Sequence, residues 1–302
     1  MTPVSLDQIS IHDQRFCISY PLDDPVLLSS VSRVGIIQPV ILFDASPFLV
    51  VSGFKRLGTA LKLGLGAIPA LPTSLTEEQA LLYAIHSNIG RGLNLVEKAH
   101  AIDRMLHIGF ASDQIYDTMK LLGLQPHEKI LGQLLAIAAA EEPLKRFITS
   151  RTLSMKSSAY LLRFGAEERA FIIELLSAFP MTESMIRETL ELLALLRVKS
   201  GVIPFGKLAA ASDAYHLRRL LKEETHPQLS RLHKELQDIK VEAALPREID
   251  IKVDAFFEKE YIDINIRAKN EEDVSEAVEK LRKLTRNGHM RSIFELTKGH
   301  VR

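Results

Sequence analysis

The chain has 302 residues, which is enough for two or three small domains, because a single hydrophobic core stops growing near this length. Its composition, with 46% hydrophobic and 25% charged residues, excludes a disordered chain, a collagen-like chain and a disulfide scaffold. The 38 basic and 38 acidic side chains cancel, so net charge gives no argument for a polyanionic partner. Cys17 is the only cysteine and no apolar stretch approaches about twenty residues, so the sequence predicts a cytoplasmic protein without a membrane segment.

The first 92 residues alternate strand-like and helical patterns. Strands are predicted at 39–43, 48–52 and 68–71, and helices at 27–34, at 56–63 and from Thr76 onward. Gly53 follows the second of these strands directly and stands just before a helix. At such a junction the backbone amides of a helix N-terminus can hold a phosphate. The sequence therefore predicts a small α/β domain at 1–92 with a candidate anion site at Gly53.

Residues 93–198 are almost wholly helical by pattern. One helix runs from Asn94 to Gly109, a second from Ser112 to Leu122, and after a turn at Gly123 a third covers 126–139, with Pro126 in its first turn. Helix, short glycine turn and helix is the layout of a helix-turn-helix. The apolar residues expected to face the core are Ile130, Leu131, Leu134, Leu135 and Ala138. His127, Lys129 and Gln133 would then face solvent or a DNA groove; a helical bundle without a nucleic-acid role fits the periodicity equally well.

The last third of the chain contains a connection and a small mixed unit. Residues 199–245 are predicted to be a linker over 199–212 followed by charged helices. From Pro246 onward, isoleucine and valine alternate with charged residues in two strand-like segments, and a helix with an apolar stripe follows Glu271. A ββα unit at 246–302 has too little core to be stable alone, so we expect its apolar face to meet a second copy in a homodimer.

Two basic runs interrupt the balanced charge. Five cations and no acid lie between Pro143 and Ala166: Lys145, Arg146, Arg151, Lys156 and Arg163. A second basic run forms a C-terminal tail over 280–302. Either run could contact phosphates, although a basic run is more often only a solvated surface.

Several motifs of the first domain resemble one known family. They are Gly35-Ile-Ile-Gln38-Pro39-Val40, Val51-Ser52-Gly53-Phe54-Lys55-Arg56-Leu57-Gly58-Thr59-Ala60, Gly64 to Pro69, and His86-Ser87-Asn88-Ile89-Gly90-Arg91-Gly92-Leu93-Asn94-Leu95-Val96-Glu97-Lys98-Ala99. These runs resemble the N-terminal domain of ParB-type partition proteins. In that family a nucleotide domain, a helix-turn-helix domain and a small ββα dimerisation domain follow one another, which is the order found here. The expected fold is therefore α+β and multidomain.

The resemblance implies a dimeric, nucleoid-associated protein that loads on a specific double-stranded DNA site and is switched by cytidine triphosphate (CTP) with Mg²⁺. It also implies a partition ATPase as a partner, in the segregation of a chromosome, plasmid or mobile element. The residues that it assigns to the nucleotide are Gln38, Gly53, Lys55, Arg56, Asn88 and Arg91. The DNA-binding candidates are His127, Lys129, Gln133, Lys145, Arg146, Arg151 and Lys156.

Three positions depart from the family's nucleotide motifs. Phe54 and Ser87 replace glutamates, and Gly58 replaces an arginine. Carboxylates are the usual magnesium ligands in triphosphate hydrolysis, so we expect at most weak CTPase activity even where CTP binds. Phe54 could pack on a base or fill the space of the missing carboxylate. The segment 153–159 resembles the one that supports the family's site-reading helix, but it lacks that segment's arginine.

Two alternative functions remain open at this stage. The first is a ParB-like transcriptional regulator that no longer binds nucleotide. The second is an enzyme that uses the N-terminal cleft as a nuclease or phosphotransferase, which the missing carboxylates disfavour. No histidine pair has convincing metal-ligand spacing, and Cys17 is not expected to act as a nucleophile.

Overall fold

The computed structural model describes residues 2–257, 259 and 261–298. It divides the chain into two compact units, and the division falls between Glu191 and Leu192. The domain boundaries expected at 92, 198 and 245 are finer than this division and stay a prediction. The mixed α+β class expected from the sequence is confirmed, since helices dominate and two small sheets accompany them.

A four-stranded sheet organises the start of the first unit. Its strands are β1 (Thr2–Ser5), β2 (Val40–Phe43), β3 (Leu49–Ser52) and β4 (Ala67–Thr73), in the spatial order β1-β4-β2-β3. β2 runs parallel to β4, while the β1–β4 and β2–β3 pairs are antiparallel. Three of these strands confirm the predicted segments, and β1 was missed because Thr2–Ser5 is too short to show a clear alternation.

Three helices accompany this sheet. They are α1 (Pro25–Val34), α2 (Phe54–Lys62) and α3 (Glu77–Ile89). The helix start expected at Thr76 is confirmed by a capping box, in which the Gln79 amide donates to the Thr76 hydroxyl and the Thr76 amide donates to the Gln79 side chain. Apolar side chains of the strands and of α3, among them Leu42, Ile68 and Leu81, are fully buried and form the core.

Helices make up the rest of the first unit. Their bounds are α4 (Leu95–Ile108), α5 (Ser112–Leu121), α6 (Glu128–Ala138), α7 (Glu142–Ser150), α8 (Met155–Leu161), α9 (Ala166–Ser177) and α10 (Glu183–Ser200), the last of which continues into the second unit. Helix α4 begins after Asn94 and ends at Gly109, as predicted, and this glycine adopts φ +98°.

The start of α6 corrects the sequence prediction. Pro126 lies outside the helix, because His127 is the N-cap residue and its Nδ1 accepts a hydrogen bond from the Lys129 amide at 3.1 Å. Leu134 is buried as predicted and Ile137 is buried too, whereas Ile130, Leu131, Leu135 and Ala138 are only half-buried.

In the part of the second unit that the structure describes, there are five more helices and a two-stranded sheet. The bounds are α11 (Phe205–Ala209), α12 (Ala214–Thr225), α13 (Pro227–Glu242), β5 (Ile249–Lys252), β6 (Asp263–Ile266), α14 (Glu271–Arg286) and α15 (His289–Lys298). The predicted linker therefore contains α11. The predicted basic tail covers the end of α14 and helix α15 up to Lys298, and its residues 299–302 lie outside the described residues. Within the described residues, no helix is both long enough and apolar enough to cross a bilayer.

The two strands of this unit differ in burial. Ile249 and Ile251 on β5 are buried, as the alternating pattern predicts. Their register partners on β6, Ile266 and Ile264, are 37% and 38% exposed. Because residues directly opposite each other on paired strands share one face of the sheet, the apolar face continues from β5 onto β6 and is only partly covered there.

Candidate functional sites

Gly53 joins β3 to α2 in a conformation that favours glycine. Its φ is +110°, in the left-handed region, and a Cβ atom there would lie 3.1 Å from Val40 Cγ2. No side chain caps the α2 N-terminus, so the first amides of this helix have no capping partner. The local geometry has the features of an anion site at a helix N-terminus.

Arg56 folds back over Gly53 rather than pointing into open solvent. Its Nη1 donates to the carbonyl oxygens of Gln38 and Pro39 at 2.7 and 2.6 Å, and burial lowers the pKa of its guanidinium. Gln38 contributes its backbone carbonyl to this contact, and the residue itself is exposed. The structure thus brings Gln38, Gly53 and Arg56 together, with Arg56 already engaged by backbone acceptors.

Lys55 has a carboxylate partner that the sequence analysis missed. Its Nζ lies 3.4 Å from Asp24 Oδ2, and both side chains are about one-third exposed. Asp24 is the N-cap of α1, where it accepts from the Leu27 amide at 3.0 Å. That amide, followed by Lys55, holds the pKa of Asp24 below its ordinary value. An aspartate directly before Pro25 is a helix-start signal, so the sequence could have indicated the cap, although not the contact with Lys55.

The second motif lies at the end of α3 and in the turn that follows. Arg91 Nε donates to Asn88 Oδ1 at 2.9 Å, and Asn88 Nδ2 donates to the Ala84 carbonyl at 2.7 Å. The two terminal nitrogens of Arg91 donate to the two carboxylate oxygens of Glu97 at 3.0 and 2.6 Å. This fork-to-fork pairing is a strong form of ion pair, so Arg91 is also engaged within the protein.

Glu97 is the fully buried partner in that pair. Its side chain is 1% exposed, and besides Arg91 it accepts from the Tyr20 amide and the Asn94 amide, both at 3.1 Å. Asn94 completes the cluster by donating from Nδ2 to the Tyr20 carbonyl at 2.7 Å. The sequence did not indicate a role for Glu97, because its contact with Tyr20 spans 77 positions. We call these four residues the Glu97 cluster.

The positions that depart from the nucleotide motifs offer no carboxylate. Phe54 is 9% exposed, which favours its filling of space over stacking on a base. Ser87 is exposed and donates to the Ala84 carbonyl at 3.2 Å, and Gly58 has open space around its Cα. Carboxylates are the preferred protein ligands of Mg²⁺. The junction therefore fits an anion, but these positions do not fit a magnesium ion.

Helices α6 and α8 form a groove of about 660 Å³ that gathers four DNA-binding candidates. His127, Lys129 and Gln133 line it from α6, and Lys156 lines it from α8. Lys156 lies 2.9 Å from Glu191, a contact that raises its pKa. We call this the α6–α8 groove. It brings together residues from two segments that stand more than twenty positions apart in the chain.

The other three candidates lie outside that groove. Arg151 Nη2 donates to the carbonyls of Leu176, Ser177 and Phe179, each at 3.3 Å, and so it caps the C-terminal end of α9. Arg146 pairs with Glu142 at 2.9 Å and lies 3.8 Å from Asp23. Lys145 is half-buried on α7.

Two further sequence expectations concern nucleophile and metal chemistry. Burial raises the pKa of the Cys17 thiol to about 11, which disfavours the thiolate that a nucleophile needs. Among the described residues, no group of three or more His, Cys, Asp or Glu is placed to hold a metal ion.

The first unit thus contains an uncapped helix N-terminus after Gly53 and a groove between α6 and α8 that is lined by cations. No family model matches the chain. It is 26% identical over 168 residues to the probable chromosome-partitioning protein ParB of Coxiella burnetii, covering 47% of this chain and 58% of that protein. It is 26% identical over 222 residues to the probable ParB of Neisseria meningitidis serogroup A, covering 71% and 74%.

A third relative is the stage 0 sporulation protein J of Bacillus subtilis, at 31% identity over 168 residues, covering 52% of this chain and 57% of that protein. These similarities confirm the resemblance to ParB-type partition proteins. Truncated Caulobacter crescentus ParB bound to the centromeric parS site covers 63% of this chain and 99% of its own, with 14% identity and a TM-score of 0.33. The same protein with CTP-γ-S gives 17% identity, coverage of 56% and 95%, and a TM-score of 0.27.

The Glu97 cluster yields a stability prediction. Glu97→Ala should lower the free energy of unfolding by about 3 kcal/mol, because two backbone amides and Arg91 lose a buried acceptor. Urea denaturation measures this change. Glu295→Ala is the matched control, since Glu295 pairs with Arg291 on an exposed helix face and should contribute less than about 0.5 kcal/mol. An equal loss of unfolding free energy in the two variants would contradict the prediction that the Glu97 cluster stabilises the protein more than an exposed ion pair does.

Proposed function

We propose that the chain is a cytoplasmic partition-type protein that loads as a dimer on a specific site in double-stranded DNA. The observation that carries this proposal is the α6–α8 groove, where His127, Lys129, Gln133 and Lys156 meet. The similarity to proteins named for chromosome partitioning supports the same reading. Selection of duplexes from a random-sequence pool tests it: enrichment of one motif supports site-specific loading, and recovery without any enriched motif contradicts it.

The groove offers both phosphate and base contacts. Lys129 and Lys156 would neutralise backbone phosphates, and the amide of Gln133 can pair with a base edge. His127 uses Nδ1 as the α6 cap, so only its Nε2 remains for DNA. Lys156 must exchange Glu191 for a phosphate, which lowers its net contribution.

Lys129 gives the sharpest test of the groove. Lys129→Ala should weaken binding to duplex DNA and make the negative slope of log affinity against log salt concentration shallower by about 0.9, the value for one lost phosphate contact. Fluorescence anisotropy across a salt series measures both quantities. Lys120→Ala on α5 is the control, because this exposed lysine pairs with Asp117 outside the groove. An unchanged slope for Lys129→Ala would remove Lys129 from the interface.

For the first motif, we propose that CTP binds at the α2 N-terminus and acts as a switch. The amides after Gly53 favour the triphosphate, and Lys55, Arg56 and Arg91 supply positive charge. Each of these cations already has acceptors within the protein, so the nucleotide must replace them. Hydrolysis should be weak or absent, because Phe54 and Ser87 provide no carboxylate for Mg²⁺.

A second candidate function follows from the same observation. If the three cations stay with their protein partners, the chain is a ParB-like transcriptional regulator that ignores nucleotides. Calorimetric titration with CTP, with ATP and GTP as controls and with or without Mg²⁺, separates the two. Selective CTP binding supports the switch, and absence of binding even with DNA present supports the regulator.

Ser87 allows a gain-of-function test of the nucleotide site. Ser87→Glu restores a carboxylate at an exposed position, so it should raise Mg²⁺-dependent affinity for CTP by about three- to tenfold, through one added contact of ~1 kcal/mol. His86→Glu, exposed on the same helix, is the charge-matched control. Calorimetry measures both variants, and an equal gain in the two would show that the effect is not local to the motif.

We further propose that the second unit forms a homodimer through its apolar face. Ile264 and Ile266 on β6 and Val274 and Val278 on α14 are each 37–44% exposed. A two-stranded sheet with one helix layer gains stability when a second copy covers such a face. A partition ATPase as an additional partner is implied by the resemblance alone.

Ile266→Asp should shift the dimer to a monomer, because a carboxylate would have to be buried in the interface. Light scattering coupled to size-exclusion chromatography measures the mass. Tyr215→Asp is the control, since Tyr215 is 73% exposed on α12 of the same unit. A dimer that persists in Ile266→Asp would place the interface elsewhere.

A further inference from the structure

The wall of the α6–α8 groove contains a cation that the DNA-binding candidates omitted. Arg163 follows α8 and lines the groove together with Lys129 and Gln133. Its guanidinium carbon lies 4.6 Å from the centroid of the Tyr160 ring, in a cation–π contact. Both residues come just after 153–159, the segment that lacks the arginine of the partition proteins.

Arg163 differs from neighbouring cations in its electrostatic partners. Lys156 pairs with Glu191, Arg146 with Glu142, and Arg151 with backbone carbonyls. Arg163 is exposed, and no carboxylate of the described residues lies within ion-pair distance of it. A new acceptor would therefore not have to displace an existing one.

The ring of Tyr160 prepares Arg163 for an anion. A cation–π contact with an aromatic face restricts the side chain of a guanidinium, and an N–H edge of its plane remains able to donate to an acceptor beside the ring. That edge can donate two parallel hydrogen bonds to a phosphate, whereas a lysine acts as a point charge. Since less freedom is lost on binding, the contact costs less entropy than one made by a free side chain.

We propose that Arg163, held by Tyr160, binds a backbone phosphate of duplex DNA at the wall of the groove that the turn after α8 provides. This inference rests on the proposed DNA binding of the groove. It assigns Arg163 a contact that holds the duplex against α6 and carries no sequence information. The Arg163–Tyr160 pair thereby supplies, from the turn after α8, the guanidinium that segment 153–159 lacks.

The test uses the full-length protein and a labelled duplex of arbitrary sequence, with affinity measured across a sodium chloride series. Arg163→Ala should weaken binding about three- to tenfold and make the negative salt slope shallower by about 0.9. Tyr160→Leu should weaken binding about threefold and leave the slope unchanged, because the charge remains while its orientation is lost. Tyr160→Phe keeps the ring and should bind like the unaltered protein.

Controls separate this proposal from the proposed function. Arg33→Ala removes an exposed arginine of α1 and should change neither affinity nor slope. If Lys129→Ala makes the negative salt slope shallower while Arg163→Ala does not, the groove binds DNA and the Arg163 assignment is wrong. If Arg163→Ala weakens binding only to particular sequences at constant slope, Arg163 reads a base and the phosphate assignment is overturned. If neither the unaltered protein nor any variant binds DNA, the proposed function itself fails.

Discussion

The buried carboxylate of Glu97 is the interaction on which the first unit depends most. A charge with 1% of its side chain exposed is stable only when its acceptor sites are filled, and four hydrogen bonds fill them here. Because it accepts hydrogen bonds from the Tyr20 and Asn94 amides, this carboxylate holds the backbone at Tyr20 against the first turn of α4. Tyr20 extends the connection, because its hydroxyl donates to Glu142 on α7 at 3.0 Å.

This arrangement makes Lys55 and Arg91 unequal as partners for a phosphate. The Lys55–Asp24 pair is partly exposed at 3.4 Å, and pairs of that kind contribute about 0–1 kcal/mol, so a phosphate can replace Asp24 at little cost. Arg91 pairs with a carboxylate that has no access to water, so its removal would leave Glu97 with an uncompensated charge. A triphosphate that takes Arg91 must therefore be accompanied by a rearrangement at Tyr20 and Asn94. Nucleotide binding and the position of α4 would then be energetically linked.

The sequence predicted the local features well, because these depend on neighbouring residues. The Gly53 junction, the caps at Thr76 and Asn94, and the strands β2 to β4 all follow from patterns within a few positions. The partners of the motif cations could not be predicted in this way. Asp24 meets Lys55 across 31 positions and Tyr20 meets Glu97 across 77, and no periodicity reports such contacts. The start of α6 was also predicted wrongly: the pattern placed Pro126 in the first turn, whereas His127 is the N-cap and the helix begins after it.

The acid-free basic run shows why linear charge is a poor guide to a binding surface. The cations of this run make different contacts. Arg151 caps the end of α9 and Arg146 pairs with acidic residues, so that only Lys156 and Arg163 line the α6–α8 groove. Helix α10 positions one side of that groove, because Glu183 accepts from the Ser157 hydroxyl at 2.6 Å at the start of α8, and Glu191 holds Lys156. The same helix therefore orders α8 and neutralises one of its cations. A cation of the groove is available to a phosphate only when no carboxylate of the protein already pairs with it. The number of cations in the basic run therefore does not measure the positive charge that the groove offers.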